Sequence, residues 1–164
     1  MGLSIATYAT VERIGDAADQ YDSATEGNLY VEKGRENRAG TITTGLYRLS
    51  KERFKFHGGS YHNYNDWRRW LCQVMLGVMP EAVWQDTQKY AGRQFVELIH
   101  FSDCEGTLGP AVCAKLARDF ADFEATAEAS GAPDDIEDDW YMKQYRNFKV
   151  AFQLAAGEGA VEFC

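Results

Sequence analysis

The chain has 164 residues, 45% of them hydrophobic and 26% charged, and a formal net charge of −8. That composition belongs to a folded domain rather than a disordered chain, and the excess of acid excludes general nucleic-acid binding, whose affinity comes from Lys and Arg neutralising phosphates. No apolar run approaches the length of a membrane span.

A chain of this length fits one domain, residues 1–164, and buries about 70% of its unfolded surface without needing a staple. Cys72, Cys104, Cys113 and Cys164 form no C-x-x-C pair, and the first residues lack a charged stretch followed by an apolar core. The expectation is a soluble cytoplasmic protein with reduced thiols.

In chain order, Ser4 to Thr10 alternates loosely and predicts a first strand. Residues 13–27 carry Asp16, Asp19, Asp22 and Glu26 and read as a short helix or a surface loop. Leu29 to Val31 predicts a second short strand, and the charged, glycine-bearing stretch 32–40 an exposed turn. Thr41 to Leu49 and Arg53 to His57, separated by Ser50-Lys51-Glu52, predict a hairpin with Phe54 and Phe56 on one face.

After Gly58-Gly59, apolar residues at helical spacing (Trp67, Trp70, Leu71, Val74, Met75) predict a helix over 63–77, capped by Asn63 or Asn65 and closed by Gly77. Pro80 suits the first turn of a helix over 80–91. The near-continuous apolar run 95–101 predicts a central strand. From Pro110 the stripe Val112, Cys113, Leu116, Phe120 and Phe123 predicts a helix over 110–130. A linker at 132–135 leads to a last helix, 136–156, with Tyr141, Tyr145, Phe148, Phe152 and Ala155 on one face, and Val161 to Phe163 returns to a sheet edge. The predicted fold is α+β: a small, mostly antiparallel sheet, built from the N-terminal hairpin strands and strand 95–101, packed by three to four amphipathic helices.

Two polar, glycine-bearing connections lie between these elements. In the first, His57 to Arg69, the side chains of His57, Tyr61, His62, Tyr64, Arg68 and Arg69 offer aromatic faces and bidentate cations suited to a nucleotide-like ligand. In the second, Ser102, Asp103, Gly106 and Thr107 precede Pro110, where glycines let the backbone approach a phosphate or carboxylate. The first expectation is a binding domain for a small anionic molecule whose pocket both connections share. The alternative for the same residues is plain structure: a helix start at Gly109-Pro110, with the arginines solvated or ion-paired.

The run Asp103-Cys104-Glu105-Gly106-Thr107-Leu108 resembles the first motif of the haloacid-dehalogenase-like phosphatases, D-x-D-G-T-L after a strand. The resemblance implies Asp103 as nucleophile beside Mg²⁺, Glu105 at the position of the acid and base, and Thr107 on the phosphate. Glu105 replaces the second aspartate of that motif, and 56 residues follow Leu108.

A third expectation is an acidic inhibitor or immunity-type protein, docking on a macromolecular protein partner through the run Asp134 to Asp139. His57, His62, Asp66, His100, Asp103 and Glu105 are donor types for a metal, but their spacing matches no metal motif, so no metal and no resident cofactor are expected. Cys104 lies between two acids, which hold a thiol protonated, and is not expected to act as a nucleophile. The sequence leaves the oligomeric state open.

Overall fold

The structure is a computed structural model that describes residues 2–16, 27–34, 42–131 and 139–164. It is α+β, with two antiparallel sheets. The four-stranded sheet has the order β5-β1-β7-β6, from strands β1 (Ser4–Tyr8), β5 (Glu52–His57), β6 (Gly106–Leu108) and β7 (Ala160–Phe163). The three-stranded sheet, β2-β4-β3, is formed by β2 (Val11–Gly15), β3 (Asn28–Val31) and β4 (Gly45–Leu49).

The predicted hairpin at 41–57 does not form. Strand β4 pairs with β2 and β3, while β5 pairs with β1 through Ile5 opposite Phe56 and Thr7 opposite Phe54. Ser50 and Lys51 therefore carry the chain from one sheet to the other. Both segments alternate in the manner of strands, but alternation does not name a partner, and here the partners are distant in sequence. The C-terminal strand is likewise no edge: β7 lies between β1 and β6, with Ile5 opposite Phe163 and Leu108 opposite Val161.

Helix α1 (Tyr61–Leu76) starts two residues earlier than expected, because its N-cap is Ser60, whose hydroxyl accepts from the amide of Asn63 at 3.1 Å. Gly77, at φ 70°, closes it with an N–H bond to the carbonyl of Gln73. The helix expected over 80–91 is two short pieces, α2 (Pro80–Gln85) and α3 (Thr87–Tyr90), divided at Asp86, which caps the second by accepting from the amide of Lys89. That expected over 110–130 is α5 (Pro110–Asp122) and α6 (Glu124–Ser130), divided at Phe123. The last helix, α7, is described from Trp140 to Ala155; the predicted start at 136 and the linker lie outside the described residues. So do most of the predicted loop 13–27, beyond strand β2, residues 35–40 of the charged turn and Thr41 at the head of the predicted hairpin.

The central strand predicted over 95–101 is a helix, α4 (Val96–His100). A short buried apolar run is compatible with either state, and tertiary contacts decide. Phe95 adopts φ 61°, a left-handed conformation rare for a bulky residue, and turns the chain into α4 while its ring packs edge-on against Phe120 at 4.9 Å. Its amide donates to Asp119 Oδ2 at 2.8 Å. Lys115 Nζ lies 2.6 Å from Glu97 Oε2 and 2.8 Å from Asp119 Oδ2, tying α4 to α5.

One core joins the four-stranded sheet to α1, α5 and α7. Phe148 of α7 is its hub, stacked on Trp67 of α1 at 4.7 Å and edge-on to Phe56 of β5 at 5.0 Å. Tyr145 donates from its hydroxyl to the carbonyl of Phe120 at 2.8 Å, and Trp67 Nε1 to the carbonyl of Tyr141 at 3.0 Å, so both buried rings satisfy their polar ends. Val31, Ile42 and Tyr47 make a small second cluster on the three-stranded sheet. Among the described residues no helix is long and apolar enough to cross a membrane.

Candidate functional site

Helix α1 presents the sequence-predicted residues on two different faces. Tyr61, Asn65 and Arg68, four and three residues apart, point toward the turn after α4, whereas His62, Asp66 and Arg69 point toward the start of α7.

On the first face the two polar connections do meet. Asn65 Nδ2 donates to Asp103 Oδ2 at 2.7 Å and to the carbonyl of Tyr61 at 2.9 Å, while Asn65 Oδ1 accepts from Arg68 Nη2. Arg68 Nη1 donates to the carbonyl of Phe101 at 2.7 Å. The guanidinium lies between the rings of Tyr64 and Trp84, 5.5 and 5.4 Å from their centroids. Arg68 is only 5% exposed and forms no ion pair among the described residues. It is a structural cation, enclosed by rings and carbonyls, and not open to a ligand in this conformation. Tyr64 is buried beneath it, and its hydroxyl has no hydrogen-bond partner among the described residues. Burial pushes the Tyr64 phenol well above its ordinary range, against the lowering effect of the Arg68 charge and with a smaller upward contribution from Asp103.

The turn itself is held by Ser102, whose hydroxyl accepts from the amides of Cys104 at 3.4 Å and Glu105 at 3.3 Å. Gly106 and Thr107 are not an anion cradle: they lie in β6, paired with Phe163 and Glu162 of β7, and Thr107 is buried. The element before Asp103 is helix α4 and not the strand on which the phosphatase-like motif depends. Asp103 is half-buried and committed to Asn65. His57 is likewise occupied in its own turn, where Nδ1 accepts from the amide of Gly59 at 3.0 Å and the ring covers Gly2. Among the described residues no three His, Cys, Asp or Glu are grouped to hold a metal.

The second face is open. Asn63, Asp66, Trp140 and Tyr141 line a depression of about 280 Å³ between α1 and the start of α7. Asp66 is neutralised there from both sides, by Arg69 Nη1 at 3.0 Å and by His62 Nε2 at 3.1 Å when that imidazole is protonated. Burial, then the charge of Asp66, pushes the Tyr141 phenol up and keeps it neutral. Across Trp140 a second depression of about 350 Å³ is lined by Asp139, Trp140, Lys143, Arg146 and Asn147. Arg146 there is bound to Glu128 at 3.2 Å and Asp139 at 3.3 Å.

Trp140 is the common wall. Its indole lies flat enough against Gly59 that a Cβ at that glycine would come within 3.0 Å of Cζ2, and Gly59 holds φ +90°. Its other edge meets Tyr141 at 5.4 Å between centroids. The sequence signal that could have found it is positional. Trp140, Lys143 and Asn147 fall three and four residues apart, off the buried stripe of α7, so a large aromatic residue stands on the helix's polar side. The acidic run 134–139 read as a docking surface lies outside the described residues, apart from Asp139.

No known family model matches the chain, and neither curated proteins nor solved structures include one significantly similar to it.

Proposed function

We propose that the protein is a binding domain for a small anionic molecule, and that the ligand seats against Trp140 between α1 and α7. The observation that carries this reading is the indole shared by two adjoining depressions, about 280 and 350 Å³, which only taken together fall well within the size range of small-molecule sites. Their rims combine a flat aromatic wall with amides and cations, a mixture that orients a polar ligand while burying part of it. His62 and Arg69, read from the sequence as groups for an anion, lie against Asp66 beside this depression; Arg68, Tyr64 and Thr107 are buried in the fold.

The test is thermal denaturation of the full chain against sugars, sugar phosphates, nucleotides, amino acids and carboxylates. A ligand of the native state at a hundredfold its Kd adds about 2.7 kcal/mol, a rise of several degrees for a domain of this size. At least one anionic compound is expected to give that rise in the wild type and in Trp84→Ala, which lies on the other face of α1, and to lose it in Trp140→Ala. Uniform silence across the panel, or equal shifts in both variants, refutes the site.

A further inference from the structure

The hydrogen-bonding groups around Trp140 that remain uncommitted say which small anion suits it. The side-chain amides of Asn63, on the α1 side, and Asn147, on the α7 side, make no hydrogen bond among the described residues. Lys143 is exposed and makes no ion pair among them either. Asp66 is matched by Arg69, and Asp139 shares the single guanidinium of Arg146 with Glu128. Among the described residues, one free ammonium and two free carboxamides therefore surround one indole.

Each of these groups selects a different part of a ligand. An indole face favours a flat π system, and stacking a base on an aromatic side chain contributes about 1–3 kcal/mol. A carboxamide offers a donor and an acceptor side by side, the complement of a base edge. A free ammonium on an exposed helix turn favours a compact anion, as lysines do at phosphates. A simple sugar leaves Lys143 unused, and inorganic phosphate leaves Trp140 unused. The two depressions, which share the Trp140 indole, offer one place for a ring and one for a charged group.

Resting on the ligand-binding reading and deepening it, we infer that the ligand is a nucleoside monophosphate, its base stacked on Trp140 with its edge at Asn63, and its phosphate at Lys143 beside Asn147.

Calorimetric titration of the full chain with AMP, GMP, CMP and UMP, with the matching nucleosides, with ribose 5-phosphate and with inorganic phosphate tests this. At least one nucleotide should bind about tenfold or more tighter than its nucleoside and than ribose 5-phosphate, a difference of about 1.4 kcal/mol. Lys143→Ala, at an exposed position, should bring that nucleotide down to the affinity of its nucleoside and leave the nucleoside unchanged. Asn63→Ala should weaken nucleotide and nucleoside by the same factor. If ribose 5-phosphate or a nucleoside binds as well as the nucleotide, or Lys143→Ala leaves the nucleotide unaffected, the nucleotide inference is overturned while the binding site at Trp140 stands. If none of these compounds binds and another anion binds at Trp140, the inference falls alone; if no anion of any class binds, both fall.

Discussion

At the scale of single residues, the chain places several polar groups where they cost stability rather than add it. The Tyr64 hydroxyl is enclosed without a partner among the described residues, and an unsatisfied buried hydroxyl loses its hydration for nothing in return. The ring beside it does the work, stacking near Trp67 at 5.9 Å and supporting the Arg68 guanidinium. Tyr64→Phe keeps the ring and removes the orphan oxygen, so the urea midpoint is expected to hold or rise; a loss above about 1 kcal/mol would mean that the hydroxyl has a partner. Arg68 shows the same limit from the other direction. Its position next to aromatic and glycine-bearing residues marks it for ligand binding in the sequence, but the ring of Trp84 and the carbonyl of Phe101 close around it. Nothing local in Trp67-Arg68-Arg69 separates the buried arginine from the exposed one; only the direction in which α1 faces does so.

At the scale of elements, the decisive contacts are close approaches between backbones. Gly159 connects α7 to β7, and a Cβ there would lie 2.3 Å from the carbonyl oxygen of Tyr8 and 2.6 Å from Cα of Ala155. Neither neighbour is a flexible side chain that could yield. Gly159→Ala must therefore push β7 away from β1 and from the end of α7, and overpacking of this kind costs roughly 1–3 kcal/mol or more. The expected result is a lower urea midpoint, of at least about 1 kcal/mol in stability, and faster amide exchange in β1 and β7; wild-type stability in this variant would contradict the packing of the strand. Element type was legible wherever a long periodic stripe existed, as in α1, α5 and α7. It failed at α4, where five residues bound by Phe95 and Phe101 are too few for a period to register; β4 and β5 were legible as strands, but their partners were not.

At the scale of the whole molecule, the core holds thiols and phenols that must stay neutral. Burial pushes the Cys113 thiol up to about 12 and the Cys72 thiol to about 11, from an ordinary value of 9.0. Burial also raises Tyr8 and Tyr145, in both cases with carboxylates adding to the effect. Each group releases its proton more readily unfolded than folded, so the native state binds more protons between the two values. Stability is then fully present below about pH 9 and declines as pH rises through the window from 9 toward 11 and 12. Urea titrations at pH 7, 8 and 10.5 are expected to give equal midpoints at the first two and a clear fall at the third; a flat profile to pH 10.5 would show that the thiols are not enclosed as described.

The sequence by itself determined the α+β class, the acidic character of the chain, its lack of a long apolar run, and the three long helices, because composition and hydrophobic period act locally and survive any tertiary arrangement. Tertiary structure alone decided which strands pair, that residues 96–100 coil instead of extending, and that Arg68 is enclosed while Trp140 stands between two depressions. Those outcomes depend on which faces of α1 and α7 meet across a shared core, and the free energy of that meeting belongs to pairs of residues such as Trp67 and Phe148, 81 positions apart, that no local window contains together.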